Sequence, residues 1–135
     1  MTAGRSRVAA PIVASPSDAV EPSLLPDGAT FGADGGLSIA GVDVGEVCDR
    51  YGTPVFIYDE DHLRRRCREA VAAWGDGVAY ASKAFLCTAM AGLAAGEGMS
   101  IDVSTGGELH VAVAAGVPGR RLVLHGNNKS EAELA

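Results

Sequence analysis

The sequence has few of the features that mark membrane, secreted and metal-binding proteins. Its three cysteines, Cys48, Cys67 and Cys87, form no CxxC motif and have no histidine at ligand spacing, so neither a zinc site nor a disulfide framework is expected. No apolar run approaches the roughly 18 residues that cross a bilayer. The stretch after Arg7 is too short, and too soon interrupted by proline, to be the apolar core of a secretory signal. These absences favour a reduced, cytoplasmic protein.

Positive charge is also scarce. The 11 Lys and Arg stand against 17 Asp and Glu, for a net charge of −6, so no general attraction to nucleic acid or to an anionic membrane is expected. The one dense basic cluster lies between Arg64 and Arg68, in a helical pattern that follows the acidic stretch 59–61. Carboxylates at i,i+4 spacing pair with such arginines, so the cluster is interpreted as a solvated, ion-paired face.

The length limits the fold. The chain has 135 residues, 47% of them hydrophobic and 21% charged, which is the balance of a globular protein. This is enough for one ordinary domain. A parallel (β/α)₈ barrel takes about 250 residues, so the chain could supply only about half of one.

The first third of the chain shows only short elements. Residues 1–22 have no sustained hydrophobic period and are predicted to be a flexible leader. Dense turn signals then surround an apolar run at 37–42, which is predicted to be a strand. A short helix is expected at 44–51, ended by glycine, and the β-branched and aromatic segment 54–58 is predicted to be a further strand.

From residue 59 the chain alternates regularly between helix and strand patterns. Asp59 is placed to cap a first helix. Three strand–helix units follow at spacings of about 22 residues, which predicts a parallel sheet. Apolar residues at helical spacing, Trp74 and Val113 among them, are predicted to be buried. The predicted strands are 78–82, 99–103 and 121–125, and a capping pattern at 130–133 opens the last helix.

Polar side chains collect at the carboxyl ends of these strands, where parallel α/β proteins place their active sites. Lys83 follows the first strand, Asp102 ends the second and His125 ends the third. Strand alternation puts Lys83 on the same face as two alanines, among apolar walls that would favour the neutral amine a Schiff-base lysine needs. Position alone equally allows a lysine that extends to water.

Structural interpretations of the other polar residues stay open as well. Asp102 is also explained as a helix-start or turn carboxylate, and His125, followed by glycine and two asparagines, as a loop residue. Glu108 completes a capping-box pattern with Thr105. The glycine pair at 106–107 could offer backbone amides to an anion at a helix start, although no phosphate-binding motif accompanies it.

Four segments carry a family resemblance when they are taken together and in order. They are YGTPVFIY at 51–58, YASKAF at 80–85, DVSTGGEL at 102–109 and HGNNKS at 125–130. In this combination the chain resembles the N-terminal part of bacterial diaminopimelate decarboxylases, pyridoxal-phosphate enzymes of the alanine racemase-like class (fold type III).

The resemblance implies an α/β fold that is a partial (β/α)₈ barrel. Residues 59–135 would form about three βα units of the cofactor-binding barrel, and residues 23–58 the segment that joins the β-domain in the family. The rest of the barrel and the C-terminal β-domain are not in the sequence. The chain is therefore expected to be an N-terminal fragment that is inactive alone.

The resemblance also implies the chemistry. Lys83 would hold pyridoxal phosphate as a Schiff base, Asp102 and Glu108 would lie on the cofactor side, and His125 would face the pocket. The implied reaction removes the carboxyl group at the D-configured centre of meso-2,6-diaminopimelate and gives L-lysine and CO₂. The expected partners are an amino-acid substrate and a second copy of the full-length protein. The alternatives are a decarboxylase of arginine, ornithine or a carboxylated polyamine, and a non-catalytic module that binds the cofactor or a partner chain.

Overall fold

The computed structural model describes residues 20–134, which fall into two compact units with their boundary between Asp59 and Glu60. The leader predicted at 1–22 lies almost entirely outside the described residues. Within residues 20–134, no helix has the length and apolar character that a membrane span requires. All three cysteines are free thiols.

The first unit contains a small antiparallel sheet and one helix. The strands pair in the order β1-β2-β3, and the helix α1 follows the last strand directly. The elements are β1 (Ala29–Phe31), β2 (Leu37–Ile39), β3 (Val42–Asp43) and α1 (Val44–Tyr51).

Helix α1 has a defined start and end. The side chain of Asp43 accepts a hydrogen bond from the N–H of Glu46 at 2.9 Å, which satisfies one of the amides that a helix start leaves unpaired. Gly52 ends the helix with a φ of 82°, a conformation that glycine adopts without steric cost. The helix predicted at 44–51 is confirmed.

Two strand predictions in this unit are wrong. The apolar run 37–42 is divided by a turn in which Ala40 and Gly41 have φ values of 50° and 78°, so it forms two strands of a hairpin instead of one. Segment 54–58 forms no strand. A strand needs a hydrogen-bonded neighbour, and none of β1, β2 and β3 pairs with this segment despite its β-favouring composition.

The second unit alternates helices and strands as predicted. Its strands form a parallel sheet in the order β4-β5-β6, with β5 in the centre. All three predicted strands are confirmed, each shorter by one residue at one or both ends. The elements are α2 (Glu60–Trp74), β4 (Ala79–Ala81), α3 (Thr88–Gly96), β5 (Ser100–Val103), α4 (Gly106–Ala114), β6 (Leu122–Leu124) and α5 (Glu131–Leu134).

The two faces of this sheet differ in burial. Ile101 and Val103 on one face of β5 are fully buried, in a core with residues of α3 and α4. On the other face, Ala81, Asp102 and Val123 stand in register on the three strands. Val123 remains 47% exposed. The helices therefore cover one face, and the other face keeps partly exposed side chains.

Two residues predicted to be buried are exposed. Trp74 is 75% exposed and Val113 is 58% exposed. Trp74 is the last residue of α2, so the apolar stripe continues to the end of the helix without a core residue to cover it. Val113 follows the fully buried Ala112 and lies about 100° further around α4, which turns it away from the core.

The arginines of α2 are paired with carboxylates. Arg64 bonds Glu60 one turn earlier at 2.7 Å, which confirms pairing at i,i+4 spacing. Glu97, directly after α3, accepts from Arg64 at 2.8 Å and from Arg68 at 3.1 Å. The bonds from Arg64 and Arg68, that from Arg64 first, lower the pKa of Glu97. The bonds to Glu97 and Glu60, that to Glu97 first, raise the pKa of Arg64. Glu97 thereby joins α2 to α3, a contact across 33 residues that no local pattern indicated.

We expect Glu97→Gln to lower the midpoint of thermal unfolding more than Glu69→Gln, which removes only an exposed pair within α2. Because folding lowers the pKa of Glu97, its stabilisation is present above the ordinary glutamate value of about 4.3 and is lost as the pH falls through the folded value. Melting curves between about pH 7 and about pH 3 should show the midpoint of Glu97→Gln approaching that of the unchanged protein as the pH falls. A difference that does not change with pH would contradict the ion-pair assignment.

Candidate functional site

The carboxyl ends of β4, β5 and β6 meet at one edge of the parallel sheet. Ala81 pairs with Asp102, and Asp102 pairs with Val123 on the next strand. Neighbouring strands in a sheet lie only about 4.8 Å apart. Lys83 and His125 each follow these paired residues by two positions. The structure therefore brings the predicted residues of all three strands to the same edge.

Asp102 and His125 form a hydrogen-bonded pair. Nδ1 of His125 donates to Oδ1 of Asp102. The backbone N–H of His125 donates to the carbonyl of Val103 at 3.0 Å, which extends the pairing of β5 and β6 by one residue. Half of the His125 side chain and a quarter of the Asp102 side chain are exposed, at 50% and 25%. Asp102 thus fixes the orientation of the imidazole and leaves Nε2 as the nitrogen that can meet a ligand.

The turn interpretation of Asp102 is therefore wrong, because the residue lies within β5. His125 does begin the loop that follows β6, as its structural interpretation states. Its bond to Asp102 gives it an ordered position nonetheless. An exposed imidazole held by a carboxylate is suited to binding or proton transfer.

Lys83 lies at the same edge, in surroundings that differ from the predicted ones. Residues Ser82–Ala84 form a 3-10 turn, which ends the strand alternation after Ala81. The side chain of Lys83 is exposed, and within residues 20–134 it makes no hydrogen bond or ion pair. The apolar walls predicted around its amine are not present in this part of the chain. The amine is instead exposed and without a partner among the described residues.

Glu108 accepts hydrogen bonds from the residues that follow β5. Its Oε2 accepts from the N–H of Ser104 at 2.6 Å, from the Ser104 hydroxyl at 2.8 Å and from the N–H of Thr105 at 3.2 Å. The hydroxyl of Ser82, a buried residue next to Lys83, makes a smaller contribution that also lowers the pKa of this carboxylate. The bonds from Ser104, its N–H first, lower the pKa of Glu108 and keep the group ionised.

The capping box predicted for Glu108 is confirmed. Oγ1 of Thr105 accepts from the N–H of Glu108 at 3.2 Å, and the Glu108 side chain returns to the N–H of Thr105. Oε2 of Glu108 is thus already occupied by donors of the protein itself. A direct contact between Glu108 and a cofactor stays a prediction.

The anion site considered at the glycine pair 106–107 is filled by a side chain of the protein. Oε1 of Glu133 accepts the N–H of Gly106 at 2.9 Å. Its Oε2 accepts from the N–H and the hydroxyl of Ser130, at 2.9 Å and 2.8 Å. A carboxylate at a helix start satisfies an unpaired amide and complements the helix dipole. The amide of Gly106 is therefore not available to a phosphate group.

Sequence reasoning missed the long-range contacts of two residues that follow β6, Lys129 in the loop and Glu133 in α5. Nζ of Lys129 donates to the carbonyl of Ser104. The S-x-x-E pattern predicted that Glu133 would cap its own helix, and this cap is present. It gave no sign of the bond to Gly106, which lies 27 residues earlier in the chain.

The residues at this edge fit pyridoxal phosphate. Lysine amines condense with aldehydes, and the amine of Lys83 is exposed at this edge. The open face of the sheet beside it carries small side chains, Ala81 and Ser100 among them, which leave space for a planar ring. Asp102 and His125 supply polar partners at the same edge.

Comparison with known proteins identifies a family. The family described as pyridoxal-dependent decarboxylase, pyridoxal binding domain, matches residues 60–135, more than half of the chain. The diaminopimelate decarboxylase of Mycobacterium tuberculosis is 49% identical over 115 residues, which are 84% of this chain and 26% of that protein. The chain spans about a quarter of the length of the curated relatives it matches.

Solved structures show the same similarity. A protein of Aquifex aeolicus aligns with a TM-score of 0.73 at 33% identity, over 79% of this chain and 27% of that chain. The diaminopimelate decarboxylase of M. jannaschii in co-complex with L-lysine aligns with a TM-score of 0.69 at 33% identity, over 81% and 27% respectively.

The bonds of Glu108 can be separated from simple helix capping. Thr105→Ala removes one N-cap bond and should lower the free energy of unfolding by about 1 kcal/mol. Glu108→Ala should cost more, because it also leaves the N–H and the hydroxyl of Ser104 without their acceptor. Urea unfolding of both variants checks the order. Equal losses would mean that Glu108 acts only as a cap and does not hold the end of β5.

Proposed function

Because the chain belongs to the pyridoxal-dependent decarboxylases, we propose that it forms the cofactor-binding start of an enzyme that converts meso-2,6-diaminopimelate into L-lysine and CO₂. One observation carries the proposal. The free amine of Lys83 lies at the same sheet edge as the hydrogen-bonded pair of Asp102 and His125. A lysine amine at the same edge as an oriented acid–base pair suits amino-acid chemistry on an aldehyde cofactor.

The choice of substrate is supported by the relatives. Those in Mycobacterium tuberculosis and Bacillus subtilis are named diaminopimelate decarboxylases. The M. jannaschii structure holds L-lysine, the product of the proposed reaction. The family match by itself suits decarboxylases of arginine, ornithine or carboxylated polyamines equally well, so the substrate rests on these names.

Each residue of the edge has a part in the proposed chemistry. Lys83 would hold pyridoxal phosphate through the aldehyde of the cofactor, and the bound cofactor would supply an electron sink for the loss of a carboxyl group as CO₂. Asp102 holds the imidazole of His125 by its Nδ1, so that Nε2 can donate or accept a proton on the open face. Glu108 holds the backbone of Ser104, two positions after Asp102.

We also propose that the three strand–helix units are the first units of a (β/α)₈ barrel. The parallel order of the strands supports this, as does the partly exposed face with Val123, which further barrel strands would cover. Residues 23–58, with their separate antiparallel sheet, are proposed to join the β-domain of the family. The active protein is proposed to be a cytoplasmic homodimer.

The full-length protein, meaning this chain with the sequence that adjoins it, should release CO₂ from meso-2,6-diaminopimelate in the presence of pyridoxal phosphate and form lysine. Lys83→Ala should lower kcat by about 1,000-fold, because it removes both the attachment and a proton-transfer group. Arg66→Ala, which removes an exposed cation of α2, is the matched control and should leave kcat unchanged. Chromatographic measurement of lysine provides the readout.

A panel of substrates separates the proposal from its alternatives. Turnover of arginine, ornithine or a carboxylated polyamine at rates above that of diaminopimelate would assign the protein to another branch of the family. A full-length protein that binds the cofactor and decarboxylates none of these substrates would instead support a non-catalytic role. Full activity in Lys83→Ala would contradict the site itself.

A further inference from the structure

Two side chains from the segment after β6 hold the segment after β5. Nζ of Lys129 donates to the carbonyl of Ser104. Oε1 of Glu133 accepts the N–H of Gly106 at 2.9 Å. These contacts join residues 25 and 27 positions apart, so neither is part of a local turn. We call these two contacts the loop clamp.

Gly126 makes room for the lysine of the clamp. Its φ is 109°, which residues with a side chain rarely adopt. A Cβ at this position would lie 3.0 Å from Nζ of Lys129 and 3.9 Å from the carbonyl oxygen of Ser104. The backbone between β6 and α5 therefore passes close to the ammonium group, and a side chain at this position would be strained by the positive φ and would shift the amine slightly.

The carboxylate of Glu133 is fully used. One oxygen accepts from Gly106 and the other from Ser130, through both its N–H and its hydroxyl. The bonds from Ser130, its N–H first, lower the pKa of Glu133, and the charge of Lys129 contributes in the same direction. The group is ionised at neutral pH, and its bond to the start of α4 is charge-assisted.

The loop clamp lies beside the site residues on both strands. Ser104 follows Asp102 by two positions, and Gly126 directly follows His125. The clamp bonds go to a backbone carbonyl and a backbone amide, whereas Asp102 and His125 bond each other through their side chains. The clamp therefore acts on the pair through the two backbones that carry it.

We propose that Lys129 and Glu133 are positioning residues that keep the ring of His125 against Asp102 and so shape the cofactor site. The inference rests on the proposed function in one respect, namely that this pair faces pyridoxal phosphate. It adds to that function a role for two residues that do not themselves touch the cofactor.

A double-mutant cycle in the full-length protein tests the inference, with the dissociation constant for pyridoxal phosphate as the measured quantity. Lys129→Met should raise this constant by about tenfold in the presence of His125, and by less than about twofold in the His125→Ala background. A merely structural defect would raise it equally in both backgrounds. Lys129→Arg, which keeps the donor, should restore binding.

Glu133→Ala provides a second variant in case Lys129→Met does not fold. The methyl group accepts no hydrogen bond, so the N–H of Gly106 loses its acceptor. Amide hydrogen exchange in the cofactor-free protein should accelerate at Gly106 by about tenfold, since exchange reports local opening. Glu131→Ala, which removes an exposed carboxylate of the same helix, is the matched control and should change nothing.

The outcomes separate this inference from the proposed function. Equal effects of Lys129→Met in both backgrounds, or unchanged exchange at Gly106, would overturn the positioning role while the decarboxylation remained in place. Coupled cofactor affinities in a protein that releases no CO₂ would contradict the proposed reaction and support the positioning role.

Discussion

The carboxylate of Glu108 is the group on which the polar edge of the sheet depends. Parallel strands end together at one edge, and the first amides of the next helix lie there without intrahelical partners. Glu108 provides one charged acceptor for the N–H and the hydroxyl of Ser104 after β5 and for the N–H of Thr105. Because Ser104 follows Asp102 by two residues, this acceptor fixes the backbone directly after a functional side chain of the edge.

A capping carboxylate with an additional hydrogen bond occurs again at the start of the next helix, α5. Ser130 and Glu133 form a capping arrangement like that of Thr105 and Glu108, and Glu133 extends it to Gly106 on the preceding helix. The capping carboxylates Glu108 and Glu133 thus also accept hydrogen bonds from residues outside their own caps, Ser104 and Gly106. Charged acceptors at helix starts are favourable by themselves, so local stability and the geometry of the edge are achieved by the same groups.

The sequence predicted the elements whose signals are local. Helix α1 has its capping aspartate and its final glycine within ten residues of each other, and the strands of the second unit are short apolar runs between helical stripes. Segment 54–58 has the local composition of a strand but forms none, because β-branched and aromatic composition does not specify a partner strand. The turn at Ala40 is also invisible locally, since alanine rarely takes a positive φ.

The candidate site could be predicted in its members but not in its contacts. Position at strand ends identified Lys83, Asp102 and His125, yet their surroundings depend on partners far along the chain. The 3-10 turn that exposes Lys83, and the 27-residue separation between Glu133 and Gly106, have no sequence period that would indicate them. Side-chain hydrogen bonds across units follow from packing, which a single sequence does not display.

Borohydride reduction of the full-length protein with pyridoxal phosphate, followed by peptide mass mapping, tests most directly whether this edge is the cofactor site. Reduction makes the bond between a lysine and the cofactor permanent, so the mass increase identifies the residue. The expected result is a pyridoxyl group on Lys83 and none on Lys129, the other lysine of this chain. An unmodified Lys83, with the label on Lys129 or nowhere in these 135 residues, would contradict the assignment.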